Sequence, residues 1–536
     1  MSQGVDKVSY SSTGYFSKLV ADYLSNNEIL REFYEHPSTI SGINASIKAR
    51  KGFNTNRQLL VEQLKLQYGG IVLNEKQNQN LQSLLNEDTF TITTAHQPNI
   101  FTGPLYFIYK IIHVIKLADE LKIALPQYNF VPIYYMGSED ADLDELGYIN
   151  LGGEKLVWQT NQTGAVGRMV VDRQLLNLIN KIDGQVGVFP FGIELVGLFS
   201  SCYTLGKSIQ QATLELVNAL FAYYGLLIVI PDNKALKSSF QGVIEKEIKE
   251  QFSNKAVRQT IEKLSTNYRV QAGGRELNLF YLIGDKRERI QLLEIDKDKS
   301  KRYIVPNLEK DWDTEAILKE LSDFPERFSA NVILRGVFQE TILPNIAFVG
   351  GGGELAYWLE LKDVFNSVNV PYPVLILRNS FLLIGNKQKE KIEKLSLRSE
   401  DLFLNKFELI KKIVINNSLK KLSLTSEIDA IKNNYQLIRD TAAIIDISLL
   451  QHVEFLEKAT VQRLLELEKK FLRSEKRKFG EQQNQIVNLI ESLFPNDNLQ
   501  ERIENFSIYF AKAGFEWLQF VYDNTDSLEQ KFTILK

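Results

Sequence analysis

A doubly wound α/β fold followed by an α-helical coiled coil is predicted by three features of this sequence. Short, uninterrupted apolar runs end in polar or glycine-rich turns, helical periodicity fills the intervals between them, and beyond Arg378 the pattern changes to a heptad repeat. Runs of the first kind mark parallel strands covered on both faces. Strands alternating with helices build an α/β sheet. At 536 residues the chain is also too long for one ordinary core.

Residues 1–85 read as a helical, polar-rich region in which Phe16, Val20, Tyr23 and Leu24 line one face and Leu59, Leu60, Leu64 and Tyr68 another. The core is expected over 86–385, with strands at 89–95, 130–135, 225–231, 331–335, 346–349 and 373–377. Between the first two strands, Pro104 suits a first helical turn, and Ile108, Ile111, Ile112, Ile115 and Leu121 then recur at helical spacing. A second helix is expected over 203–223. Two stretches, at about 146–195 and 233–325, interrupt the alternation and read as insertions. The first holds Leu156-Val157-Trp158 and Met169-Val170-Val171. The second holds strand-like 280–283 and 290–295.

Over 386–480 a coiled-coil dimerisation region is expected, and 481–536 is expected to return to the core as helix. Ile428, Ile431, Tyr435, Ile438, Ala442, Ile445, Leu449, His452, Leu456 and Ala459 follow the a/d spacing of a coiled coil. Either an antiparallel hairpin pairing 388–412 with part of 427–478 or a second protomer would cover that seam, on which His452 falls.

Composition excludes several classes. A hydrophobic fraction of 44%, a charged fraction of 24% and a formal net charge of -3 are those of a globular protein with no bulk affinity for nucleic acid or an anionic membrane. Cys202 is the only cysteine, so no intrachain disulfide or multi-thiolate metal site forms, and its apolar, helical setting reads as buried and inert. The histidines at 36, 96, 113 and 452 are too scattered for a zinc motif, and no metal site is expected. The chain opens without a signal-peptide pattern and has no run long enough to span a bilayer, so a cytoplasmic protein is expected.

Four constellations lie where an open α/β sheet places its ligands, beyond the carboxyl ends of the strands. In Thr94-Ala95-His96-Gln97-Pro98 and the helix start that follows, His96, Gln97 and Thr102 are placed to meet a ligand. His96 reads as a donor or acid/base group, or as a loop histidine bonded to a carbonyl. Lys110, further along that helix, reads as a ligand contact or as exposed. Glu139, Asp140, Asp142, Asp144 and Glu145 crowd five carboxylates into one loop, which is either solvated or offered to an amine, sugar hydroxyls or Mg²⁺. An EF-hand is excluded because Glu145 stands where its turn glycine is needed. Gly350-Gly351-Gly352-Gly353-Glu354 allows close approach of backbone to a ligand, or is a structural turn; it is neither a P-loop nor a dinucleotide fingerprint. Arg335 and Arg378 leave apolar runs and suit carboxylates or phosphates, or simply mark an exit to water.

Taken together and in order, these stretches resemble the cysteine-adding enzyme family of bacillithiol biosynthesis, the BshC cysteine ligases. The resemblance runs through Thr102-Gly103-Pro104-Leu105-Tyr106 with Tyr109-Lys110, Glu139-Asp140-Ala141-Asp142, Leu334-Arg335, Gln339-Glu340, Leu343-Pro344, Gly350-Gly351, Gly353-Glu354, Ala356-Tyr357-Trp358, Arg378-Asn379-Ser380 and Leu499-Gln500-Glu501-Arg502. Many relatives read Thr-Gly-Gln-Gln where this chain has Thr94-Ala95-His96-Gln97. They often have His where Ala141 stands and Pro at Gly352.

The resemblance implies a nucleotidylyltransferase-like Rossmann core with two connecting-peptide insertions and a coiled coil that makes a homodimer. It also implies a reaction joining the carboxyl of cysteine to the glucosamine amine of glucosaminyl-malate, the last step to bacillithiol. A free carboxylate does not form an amide unaided, so activation by ATP with Mg²⁺, as an acyl adenylate, is the expectation. No adenylation loop of the Lys-Met-Ser-Lys-Ser type is present. The site expected from these stretches has His96 and Gln97 as catalytic candidates. Its substrate-binding candidates are Thr102, Gly103, Tyr106, Lys110, Glu139, Asp140, Asp142, Arg335, Gly351, Gly353, Glu354, Tyr357, Arg378, Asn379 and Arg502. Arg335, Arg378, Arg502 and the helix start at 103–104 would meet the malate carboxylates. The alternatives are a nucleotide-dependent ligase or transferase with another amine acceptor, and a non-catalytic coiled-coil assembly protein that binds a metabolite.

Overall fold

In the computed structural model, which describes residues 4–295, 300–418 and 422–536, the predicted apolar runs become a five-stranded parallel sheet. Its strands are β1 (Thr89–His96), β2 (Asn129–Met136), β3 (Leu227–Val229), β4 (Asn345–Gly350) and β5 (Val374–Leu377). Their order is β5-β4-β1-β2-β3. The first three strands build outward on one side of β1, and the last two on the other. The connection reverses between β1 and β4, which is the Rossmann-like arrangement expected. All residues of β1 are buried, as a central strand covered on both faces requires.

The sequence contained one false strand. Residues 331–335 are not extended: Asn331 caps a helix, accepting from the amides of Ile333 and Leu334, and Arg335 rides on its first turns. Ile333, Leu334, Val337, Phe338 and Ile342 are buried from that helix at 3.6-residue periodicity, so packing favours the helix over the β-prone run at its start. The elements used below are α1 (Tyr106–Ala124), this helix α2 (Val332–Ile342), and α3 (Gly352–Trp358).

Contacts divide the chain into two units, one of Ser9–Phe381 with Leu499–Thr533 and one of Met1–Val8, Leu382–Asn498 and Ile534–Lys536. In the larger unit the N-terminal helices close both edges of the sheet. On the β3 edge Tyr68 Oη accepts from the Ile228 amide at 2.8 Å, while Gln67 donates to the Ile228 carbonyl at 2.7 Å. On the β5 edge Tyr23 Oη donates to the Leu375 carbonyl at 2.8 Å. A bulge in β4 leaves the Ile346 carbonyl to Ser46 Oγ at 2.9 Å. The first insertion holds a hairpin (Tyr148–Leu151 with Glu154–Val157) and the helices Arg173–Val186 and Gly192–Cys202. Met169–Val171 is not a strand there. The second insertion opens with helices and continues in antiparallel strands that include Leu279–Ile283 and Gln291–Ile295; its residues 296–299 lie outside the described residues.

The smaller unit contains the predicted heptads, but not as one helix. α4 (Thr425–Ile445) and α5 (Leu450–Lys476) run antiparallel. Leu424 N donates to Glu468 Oε2, Tyr435 Oη meets Thr460 Oγ1 at 2.9 Å, and Arg439 pairs with Glu457. The break is at Asp446, whose carboxylate accepts from the Ser448 amide at 2.8 Å, because such side chains compete with the helix for backbone groups. The hairpin is therefore α4 with α5; the helix Lys406–Asn417 packs on α5 as a third element. His452 is exposed rather than on the seam, where Val453 is buried. Toward the turn, Leu437, Ile438, Ile444, Ile445, Ile447, Phe455 and Leu456 remain exposed. No helix among the described residues is long and apolar enough to cross a membrane.

α1 is buried on nearly all sides, and it carries His113. His113 Nδ1 accepts from the Asn379 amide at 3.1 Å, which leaves the proton on Nε2 to donate to the Ser527 carbonyl at 2.9 Å. Burial chiefly lowers its pKa from 6.5 to about 4. An unfolded chain takes up that proton at higher pH, so the neutral histidine's stabilisation is complete above about pH 6.5 and is lost as pH falls toward 4. Denaturant unfolding should show a loss of about 3 kcal/mol over that interval. His113→Gln should be less sensitive to pH by about that amount.

Candidate active site

The carboxyl ends of the strands align, with His96 opposite Met136 and Gly350 opposite Leu377. The side chains that follow therefore meet above the point where the strand order reverses, where open sheets bind ligands. His96 ends β1 buried, in ring contact with Tyr106 at 5.3 Å and Phe107 at 5.4 Å. Its Nε2 has no hydrogen-bond partner among the described residues. Burial, then the charges of Lys110, Arg335 and Arg378, hold its pKa well below the usual imidazole value. The ring is neutral at physiological pH.

Lys110, about one turn into α1, is buried rather than exposed. Its ammonium donates to the Ala95 carbonyl at 3.0 Å and pairs with Glu354. Burial lowers its pKa, and Glu354 offsets part of the shift. Glu354, in the first turn of α3, also accepts from the Gly351 amide at 2.8 Å, an N3 carboxylate reaching back to its cap. Lys110 thus ties β1 to the glycine turn after β4. Within that turn a Cβ on Gly350 would fall 2.8 Å from Phe348. Gly353 meets nothing within 4 Å, and a Cβ on Gly351 would point between Glu354 and Arg378, at 3.5 and 3.7 Å. The glycine required by packing is Gly350; Gly353 faces open space, and a Cβ on Gly351 would make ordinary contacts.

Arg335 lies over the start of the acidic loop, where a Cβ on Gly137 would be 3.3 Å from Nη1, and its Nη2 donates to Tyr357 Oη at 2.8 Å. Gln97 donates to Asp140 at 3.0 Å, joining the β1 turn to the same loop. Arg378 stacks over Tyr106 at 5.2 Å, but its fork is already taken. Nη2 pairs with Glu501 at 2.7 Å, with side chains 4% and 0% exposed, and Nη1 donates to Asn379 O and Ser380 Oγ. Nε alone has no partner among the described residues. Arg378 was expected to grip carboxylates bidentately; it offers a ligand one donor. Arg502, exposed, has Arg378, Glu501 and Tyr106 as neighbours.

Two members of the acidic loop stand apart. Glu139 pairs with the buried Lys237, which also lies 3.4 Å from Asp232 and donates to Glu326 O. Arg168 grips Asp232 bidentately at 2.7 Å. Asp142 caps the short helix Leu143–Leu146. The helix start at 103–104 is not open to an anion either. The segment after Leu499 lies across it: the Leu105 amide donates to Glu504 O at 2.8 Å, and Asn505 donates to the Phe101 and Gly103 carbonyls. There Phe101 and Thr102 hold positive φ of 48° and 69°, a strained conformation for a β-branched threonine. Cys202 is buried, and burial pushes its thiol up to about 11.

Glu501, Lys237, Asp232, Arg168 and Asn505 escaped sequence reasoning. Glu501 alone had a signal, its place beside Arg502 in a quoted motif. The others left no local signal in the sequence.

Residues 4–379 match the family model described as the N-terminal Rossmann-like domain of bacillithiol biosynthesis BshC, and residues 381–536 match that of its C-terminal coiled-coil domain. Curated relatives named "Putative cysteine ligase BshC" include one from Flavobacterium johnsoniae, 40% identical with 99% of both chains covered. Another, from Flavobacterium psychrophilum, is 40% identical with 99% of both covered. One from Bacillus cereus is 25% identical, covering 97% of this chain and 98% of its own.

Removing one partner of a buried ion pair leaves the other charge stranded, at about 3–5 kcal/mol. Glu501→Leu should lower unfolding free energy by that amount, and Arg378→Met with Glu501→Leu should recover most of it. Equal stability of the two variants in urea would show the pair to be uncoupled.

Proposed function

The chain belongs to the BshC family of bacillithiol biosynthesis, and from that premise we propose that it is a ligase joining the carboxyl of L-cysteine to the glucosamine amine of glucosaminyl-malate. The observation that supports this most is the gathering of His96, Lys110, Glu354, Arg335 and Arg378 at one strand-order reversal, a neutral acceptor ringed by cations. Amide formation needs three things from the protein: an activated carboxyl held in place, a proton acceptor for the attacking amine, and positive charge where the carbonyl oxygen becomes anionic. Lys110 and Arg335 supply the last. As the carbon–nitrogen bond forms, the ammonium-derived proton passes to His96 Nε2, and the leaving group departs with the electron pair of its bond to the carbonyl carbon.

ATP is the activator in this proposal. Ser138 Oγ and both side-chain amide atoms of Asn379, just past the ends of β2 and β5, are buried and have no partner among the described residues, which fits a polar ligand there. Lys110, Arg335 and the Nε of Arg378 would hold its anionic groups. When bound, the nucleotide supplies the leaving group that a free carboxylate lacks. Among the described residues no three His, Cys, Asp or Glu side chains are placed to hold a metal, so Mg²⁺ would enter on the phosphates. The same site would serve another amine acceptor equally well in its activation step; competition among amines for the purified protein separates the two readings.

A homodimer through the helical hairpin is part of the proposal, supported by the exposed Ile438, Ile444, Ile445 and Ile447.

His96→Ala should lower kcat by about 100- to 10,000-fold with the KM for cysteine little changed. His96→Gln separates roles: lost activity supports proton transfer, and full activity reduces the imidazole to a hydrogen-bonding group. Ile438→Lys with Ile445→Lys should sediment as a monomer where the wild type sediments as a dimer. A wild-type monomer at micromolar concentration overturns the dimer.

A further inference from the structure

Beside the site just described lies a cleft of about 350 Å³, lined by Ala141, Thr163, Gly164, Lys286, Arg287, Glu288 and Asn307. None of these belongs to the residues assigned above. The wall of the cleft is built rather than incidental. Val166 N donates to Asp140 O at 2.8 Å and Ala165 N to Asp285 O at 2.7 Å, so the acidic loop, the 163–168 loop and the 284–288 turn are stitched edge to edge. Gly164 holds φ of +93°, and a Cβ there would fall 2.0 Å from the Asp285 carbonyl. No other residue fits that junction.

Arg287 is the centre of the cleft. Its guanidinium lies 3.8 Å over the Phe280 ring, Nε donates to Ser329 Oγ at 3.0 Å and Nη2 to Ala330 O at 3.2 Å. Stacked and pinned, it keeps one Nη1 edge without a partner among the described residues, a pre-organised donor. The charged groups around it are Glu139, Asp140, Arg335 and Arg289. Through Asp140 and Arg335 it adjoins the reaction centre. Lys286, exposed at the mouth, has no ion-pair partner among the described residues. Asn307 and Glu288, bonded to each other at 3.0 Å, add hydroxyl-binding groups.

We infer that this cleft is the outer subsite of the acceptor and takes its carboxylate-bearing end, with Arg287 and Lys286 on the carboxylates and Asn307, Glu288 and Thr163 on hydroxyls. The inference rests on the ligase reading above. A polyphosphate suits the cleft less well. The wall offers two side-chain cations, which match a pair of carboxylates, rather than the array of backbone amides that cradles a polyphosphate.

The test is calorimetric titration of the full-length protein with glucosaminyl-malate, O-methyl glucosaminide, cysteine and a non-hydrolysable ATP analogue. Lys286→Glu, at an exposed position that folding does not depend on, and Arg287→Gln should each weaken glucosaminyl-malate about 10- to 100-fold, the worth of a charge-assisted hydrogen bond. Affinity for the glucosaminide, which lacks the carboxylates, and for cysteine should stay within twofold. If the wild type binds glucosaminyl-malate and both variants bind it equally well, the subsite is wrong while the ligase reading stands. If the variants lose the ATP analogue instead, the cleft is a phosphate site and the inference falls. A wild type that binds cysteine and nucleotide but no glucosaminyl-malate overturns the acceptor itself, and the subsite with it.

Discussion

The ion pair between Arg378 and Glu501 is the constraint on which the site depends. Both charges are removed from water, and their mutual attraction with the added hydrogen bonds to Ser380, Asn379 O and the Phe381 amide offsets that desolvation. What the pair secures is a segment far along the chain. Once Glu501 is anchored at the end of β5, Glu504 and Asn505 fall against the Phe101–Gly103 turn and satisfy its carbonyls and the first free amide of α1. Tyr203 supplies the remaining bond, accepting from Phe101 N at 2.9 Å. A turn with positive φ at two non-glycine residues, beside Gly103, persists because it is held from both sides.

The charges around His96 divide into two kinds. Arg378 and Glu354 mostly hold other parts of the protein, one fastening the C-terminal segment and the other the glycine turn. Lys110 and Arg335 are freer: an ammonium carries three protons, and two acceptors are found for Lys110. Burial first, and then their positive field, keep the imidazole unprotonated. An imidazole in that state keeps its Nε2 lone pair unoccupied, at the cost of being a weaker base than an exposed histidine, which near pH 6.5 would be partly charged. The acidic loop is rigidified in the same manner, with Lys237 under Glu139 and Gln97 against Asp140.

The fold was legible where local pattern and burial agree. β1, its polar turn and the helix after it could be read because β-branched and aromatic residues fill the strand and the helix keeps its period, although the helix starts at Tyr106 and Pro104 stands just before it. Arg335 reads as the end of a strand because Ile333-Leu334 resembles one, although Asn331 just before them is a helix cap. The heptads read as continuous because Ile445 and Leu449 keep the spacing across Asp446 and Ser448, a turn signal that the repeat obscured. The pairing of Glu139 with Lys237, 98 residues later, and of Arg378 with Glu501, 123 residues later, left no local trace. Spacing within an element reveals faces; it does not reveal which distant charge will neutralise which.

The tyrosine and glutamine bonds along β3 and β5 have a consequence for how this protein can be divided. A sheet margin with bare amides and carbonyls recruits other strands, and here those margins are blocked by side chains from the first 70 residues. The N-terminal region is therefore a bumper against strand exchange as much as a covering layer. A fragment beginning at β1 would keep every strand of the sheet yet expose two adhesive borders, and it would self-associate into aggregates instead of standing alone as a soluble core.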